Sequence, residues 1–190
     1  MDWESLTRDA GAVLEEVTEA LRPRIEEAVR LCVEALTTGG RILACGNGGS
    51  AADAQHFAAE LVNRFLKNRP AYAAIALTTD TSTLTSIAND SDYSQIFSRQ
   101  IEALGMEGDV LVVFSTSGRS PNVIRAAQAA RERGLRVIAV TGRGGAELAE
   151  ASDCVLDVSA SASTPRIQEG HLLILHALCE RIEEDMGRVE

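Results

Sequence analysis

Four short stretches of this 190-residue chain gather residue types that can hold an anion. They are Gly46-Asn47-Gly48-Gly49-Ser50, Thr78-Thr79-Asp80-Thr81-Ser82, Ser115-Thr116-Ser117-Gly118-Arg119-Ser120 and Thr141-Gly142-Arg143-Gly144-Gly145. Glycine lets the backbone approach a ligand, and hydroxyls with helix N-terminal N–H groups donate to phosphate oxygens. Two further pairs can carry proton chemistry. His56 and Glu60 are four apart, on one face if that segment is helical. Gln168 and His176 are eight apart, which on a helix is about 80° around the axis, so both can border one site. His171 lies about 140° from His176 on the same helix and should face elsewhere. Each feature also has a bland reading. Ser120 before Pro121 makes a good helix N-cap, and Glu60 can pair with Arg64 at i+4.

The hydrophobic pattern supplies the elements that must position these residues. A helical pattern over residues 3–38 carries apolar positions at Val13, Val17, Leu21, Ile25, Val29, Cys32 and Leu36. Pro23 predicts two helices or a kink there, and Gly39-Gly40 ends the run. Short apolar strands are predicted over 41–45, 71–77, 110–114, 136–140 and 154–158. Helices are predicted over 50–65, 81–104 with an interruption at 89–92, 121–133, 146–151 and 166–186. Five strands alternating with helices predict an α/β fold with a parallel sheet covered on both faces. All four polar turns then follow strands and fall at the carboxyl edge of the sheet, where open α/β sheets bind ligands. Residues 1–38 stand outside the alternation and are expected to cover the sheet or pair with another subunit. The α/β part spans 39–190, the whole making one structural domain.

Gly46-x-Gly48-x-x-Ala51 fits the dinucleotide fingerprint, with Asp80 as a late ribose candidate, but that reading leaves the serine cluster idle. The Gly-Lys-Ser/Thr ending of a P-loop is absent, so nucleoside triphosphate chemistry is not expected. A hydroxyl-rich pocket better suits one phosphate on a polyol. Eighteen Lys and Arg against 28 Asp and Glu give a net charge of −10, which argues against general nucleic-acid binding. Cys32, Cys45, Cys154 and Cys179 form no C-x-x-C pair and sit in apolar segments, as small hydrophobes do. No apolar run approaches a membrane span, so a reduced cytoplasmic protein without membrane partners is expected.

Cys45-Gly-Asn-Gly-Gly-Ser-Ala-Ala-Asp-Ala-Gln-His-Phe-Ala-Ala-Glu60 resembles the first signature of the phosphoheptose isomerases, sugar-isomerase (SIS) domain proteins acting on sedoheptulose 7-phosphate. Leu84-Thr-Ser-Ile-Ala-Asn-Asp90, Ser115-Thr-Ser-Gly-x-Ser120 and Thr164-Pro-Arg-Ile-Gln-Glu169 are similar to that family too, so the resemblance spans nearly the whole chain. It implies a three-layer sandwich with a five-stranded parallel, flavodoxin-like sheet plus N-terminal helices. Ser115, Thr116, Ser117 and Ser120 would bind phosphate. Asn47, Gly48, Gly49, Ser50, Asn89, Asp90 and Gln168 would contact substrate. Glu60 matches the family's general base and His176 its acid. Some members hold zinc at the positions of His56, Glu60, Gln168 and His176, and no nucleotide cofactor is implied. The family implies homotetramers with sites shared between subunits. Its product, D-glycero-D-manno-heptose 7-phosphate, is a precursor of the ADP-heptose used in lipopolysaccharide. The alternative is a non-catalytic paralogue of the same fold that binds the replication initiator. Such paralogues lack the glutamate of Glu60 and the serine of Ser117, and this chain has both. It departs from many relatives at Ser91-Asp92-Tyr93 and in the loop over 159–163.

Overall fold

A computed structural model describes residues 2–189. Helix α1 (Trp3–Glu15) starts at Asp2, whose carboxylate accepts a bond from Glu4 N. It passes through a π-helical turn, Glu16–Ala20, into α2 (Arg22–Thr37). Pro23 sits in the first turn of α2, where its missing N–H costs nothing. The expected division therefore occurs, and the extra residue before the proline is taken up as a π turn closed by Leu21 N to Glu16 O at 2.9 Å. Then follow β1 (Ile42–Gly46), α3 (Gly49–Val62), β2 (Ala74–Ala76), α4 (Thr81–Asp90), a 3-10 turn (Tyr93–Gln95) and α5 (Ser98–Leu104). The chain continues through β3 (Val110–Ser115), α6 (Pro121–Glu132), β4 (Arg136–Gly142), α7 (Ala146–Glu150), β5 (Cys154–Val158) and α8 (Thr164–Val189).

The five strands are parallel in the order β2-β1-β3-β4-β5. Residues of β1, β3 and β4 alternate between two apolar layers, because successive side chains on a strand face opposite ways. Ile42, Ala44, Val110, Val112, Phe114, Ile138 and Val140 pack with α1, α2, α3 and α8. Leu43, Cys45, Leu111, Val113, Val137 and Ala139 pack with α5, α6 and α7. The fold is thus the expected three-layer α/β sandwich. Val13, Val17 and Ile25 of the N-terminal helices belong to the first layer, so those helices cover the sheet in the same chain.

Three expectations shift. The strand at 71–77 shrinks to Ala74–Ala76 at the sheet edge. The segment at 81–104 breaks over 91–97 rather than 89–92, where Asp92 caps the 3-10 turn through Ser94 N. Asp80, the ribose candidate, is the N-cap of α4 and bonds Thr83 N and Oγ1. All four cysteines are buried and unpaired, and burial pushes the Cys45 thiol up to about 12. Among the described residues, no helix is long and apolar enough to cross a membrane.

Candidate active site

Strand order reverses between β1 and β3, and a crevice opens outside their carboxyl ends at such a switch point. Gly46 pairs with Phe114, and Ser115 with Thr141, so the turns after β1, β3 and β4 leave the sheet at one level. Gly48 turns the first of them with φ +56°, a conformation that suits glycine. Asn47 exchanges two hydrogen bonds with Asn122 in the first turn of α6, at 2.9 and 2.8 Å. Tyr93 donates to Asn47 Oδ1 at 3.2 Å. Ser50 is buried in the first turn of α3.

In the serine loop, Gly118 N donates to Ser115 Oγ at 3.2 Å and Arg119 N to Ser117 Oγ at 3.3 Å. Ser120 occupies the N-cap of α6 but makes no side-chain cap bond, so capping does not consume its hydroxyl. Thr116 stands half-buried in the same loop. Asn89 and Asp90 end α4 in the open, bonded to each other, and among the described residues neither bonds another candidate.

The proton-transfer candidates gather further along α3. Glu60 Oε1 lies 3.0 Å from His56 Nε2. The His176 ring of α8 meets His56 edge-on, centroids 5.1 Å apart, and stacks on Phe65 at 5.6 Å. Glu60 is not paired with Arg64, because α3 stops at Val62 and the i+4 relation is lost. The helix was expected to reach 65. Instead Glu183 of α8 takes the N–H groups of Phe65, Leu66 and Lys67, and the Arg69 guanidinium, at 2.8–3.1 Å. Arg69 in turn donates to the carbonyls of Glu60 and Leu61.

Gln168 of α8 approaches the glycine turn so closely that a Cβ at Gly49 would collide with its amide. Gly49, Asp53, Pro165, Gln168, Glu169 and Leu172 line a hollow of about 310 Å³ there. A second hollow, about 440 Å³, lies at Arg69, Glu183 and Arg188, away from the sheet edge. His171, expected only to face away from His176, turns to the sheet, with Nε2 on Thr141 O at 3.0 Å. Sequence reading missed Asp53, Tyr93 and Asn122. Asp53 stands three residues before His56 with its buried Oδ2 unbonded; desolvation pushes it up to about 6, against the pull of His56. Helical spacing signalled Asp53, and a lone polar residue on the buried face of α6 signalled Asn122. Nothing in the pattern signalled Tyr93.

Two imidazoles, a carboxylate and an amide are suitable donor types for zinc. Their arrangement in one chain does not fit the ion. Among the described residues no group of three or more His, Cys, Asp or Glu is close enough to hold a metal.

A family model described as SIS domain matches residues 6–142. The phosphoheptose isomerase of Thiobacillus denitrificans is 57% identical over 178 residues, covering 92% of this chain and 90% of that protein. The structure of a phosphoheptose isomerase from Neisseria gonorrhoeae superposes with TM-score 0.89 at 46% identity, over 95% of this chain and 96% of the other. One from Francisella tularensis gives 0.91 at 41% identity, with the same coverage. The chain belongs to the phosphoheptose isomerases of the SIS domain family. The SIS match starts within α1 and ends with β4, so α8, with Gln168 and His176, lies outside it. The phosphoheptose isomerase structures extend the likeness over α8 as well.

Proposed function

We propose that this chain converts sedoheptulose 7-phosphate into D-glycero-D-manno-heptose 7-phosphate by moving a proton between adjacent carbons. The observation that carries the reading is the cluster of Glu60, His56 and His176 in a chain belonging to the phosphoheptose isomerases. Glu60 removes a proton from C1 of the ketose. His176 gives a proton to the C2 oxygen, which yields an enediol. Glu60 returns its proton to C2 while the C1 hydroxyl gives its own to the now neutral His176, so the carbonyl reappears at C1 and both groups regain their starting states. A carboxylate and an imidazole suffice for this traffic, and no redox group takes part. Ser115, Thr116, Ser117 and Ser120 hold the phosphate, aided by the N–H groups opening α6. Asn47, Ser50 and Gln168 hold sugar hydroxyls.

The length of α3 supports a site shared between subunits. Glu60 stands eleven positions beyond Gly49 on α3, about 16 Å along the axis. We read the substrate as reaching from the serine loop of one copy to Glu60 of a neighbouring copy. We therefore read the protein as a homotetramer whose sites draw on neighbouring copies. Trp3 and Leu14 of α1 stand exposed, and Val17, Ile25, Leu173 and Ala177 line a groove of about 420 Å³ that a second copy can cover.

The test is turnover of sedoheptulose 7-phosphate by purified protein, with the aldose followed by a coupled assay or by mass-resolved chromatography. Steady formation of the aldose heptose is expected. Tight binding of a replication initiator with no turnover would overturn the reading in favour of the adaptor.

A further inference from the structure

Asn122 is 2% exposed, yet it is a polar side chain on the otherwise apolar inner face of α6. Its amide faces that of Asn47 across the crevice between β1 and β3, and the two exchange N–H···O bonds at 2.9 and 2.8 Å. Tyr93 brings its hydroxyl from the 3-10 turn to the same Asn47 Oδ1, at 3.2 Å. Both lone pairs of Asn47 Oδ1 are then used, and one N–H of Asn47 Nδ2 remains free. These three residues come from three segments: the glycine turn, the start of α6 beside the serine loop, and the link between α4 and α5.

We propose that Asn122 and Tyr93 are positioning residues that lock the Asn47 amide in one orientation, so that its remaining N–H is presented to a hydroxyl of the bound sugar phosphate. The inference rests on the isomerase reading of this edge and adds to it two residues with a stated task. A satisfied buried amide pair specifies geometry more than it stabilises, because its alternatives are a desolvated donor or acceptor. The pair also ties the glycine turn to the phosphate loop. The distance between the two loops is then set by side chains rather than left to substrate binding, and misplacement of a binding group is costly to rate.

The variants are Tyr93→Phe, Asn122→Asp and the double variant, with sedoheptulose 7-phosphate as probe. Tyr93 is 59% exposed, so its variant keeps the fold. Asn122→Asp keeps the shape and sets an acceptor against Asn47 Oδ1. Tyr93→Phe should raise KM about two- to tenfold, more than it lowers kcat, with no change in thermal midpoint. Asn122→Asp should lower kcat/KM about 10- to 100-fold. Because both act through Asn47, the double variant should lose less than the product of the single losses. Single variants with wild-type KM and kcat overturn the proposal, and so do losses that multiply. Should Asn122→Asp fail to fold, Tyr93→Phe alone decides by its split between KM and kcat. Wild-type turnover is measured first, so failure of the isomerase reading is seen separately. The same variants are titrated calorimetrically with the sugar phosphate, where weakened binding is expected and unchanged binding overturns the clasp.

Discussion

At the scale of single residues, the most informative groups are those whose surroundings oppose their usual chemistry. His171 is fully buried against β4, and desolvation lowers its pKa to about 4, only partly offset by its bond to Thr141 O. The unfolded chain takes up this proton near the ordinary histidine value and the folded chain only near 4. Acid therefore favours unfolding across that interval, by at most about 3 kcal/mol. Urea unfolding between pH 7 and 4 should show this loss, and His171→Gln should flatten it; an equally steep dependence in the variant would refute the assignment. Ser117 belongs to the proposed phosphate loop, and Ser117→Ala should weaken sedoheptulose 7-phosphate binding by about 1–3 kcal/mol while leaving the thermal midpoint alone. Unchanged affinity in titration calorimetry would count against the loop. Much of this was legible in the sequence: helical angles sent His171 away from His176, and the serine spacing marked the loop. Tyr93 was not, because its value lies in a bond to Asn47, 46 residues away, and Asn122 showed only as a polar residue on an apolar helix face, its partner 75 residues away.

At the scale of elements, the ends were harder to read than the centres. Apolar spacing alone carries α3 to 65, yet it ends at Val62. Its stop is imposed by Glu183, more than 110 residues later, which accepts the N–H groups of Phe65, Leu66 and Lys67 together with Arg69 Nε. No local signal announces such a stop. The π turn has a similar distant partner: Glu16 binds Ser159 N, Ser159 Oγ and Ala160 N, fastening the loop that leads into α8. Burial alone would raise the Glu183 pKa, but those N–H bonds and Arg69 outweigh it and hold the carboxyl below its ordinary value. The stability it gives is present above the ordinary carboxylate pKa and is lost as pH falls through the depressed one. Glu183→Gln leaves the buried Arg69 uncompensated and should cost about 3 kcal/mol at pH 7, with a smaller penalty in acid. Equal stability of variant and wild type at both pH values would show that the clasp holds nothing.

At the scale of the whole molecule, strand alternation made the layered α/β fold legible, while the order β2-β1-β3-β4-β5 was not, since periodicity does not say which strands are neighbours. The length of α3 has the largest consequence. It carries Glu60 about 16 Å along the axis from Gly49, which supports reading the site as shared between copies. Ser117→Ala and Glu60→Gln subunits, each poorly active alone, should therefore recover part of the activity when unfolded, mixed and refolded together. Recovery no greater than the summed activities would argue for self-contained sites. Light scattering of the wild type should give the mass of four chains, and a monomer at micromolar concentration would contradict the shared site. The central claim is that Glu60 is the base of a heptose phosphate isomerase. It is tested most directly by turnover of sedoheptulose 7-phosphate by Glu60→Gln beside wild type at equal oligomeric mass. Glutamine keeps the shape and removes the basicity, so turnover should fall at least about a hundredfold while sugar phosphate binding persists. A Glu60→Gln protein that keeps most of its turnover would contradict the account.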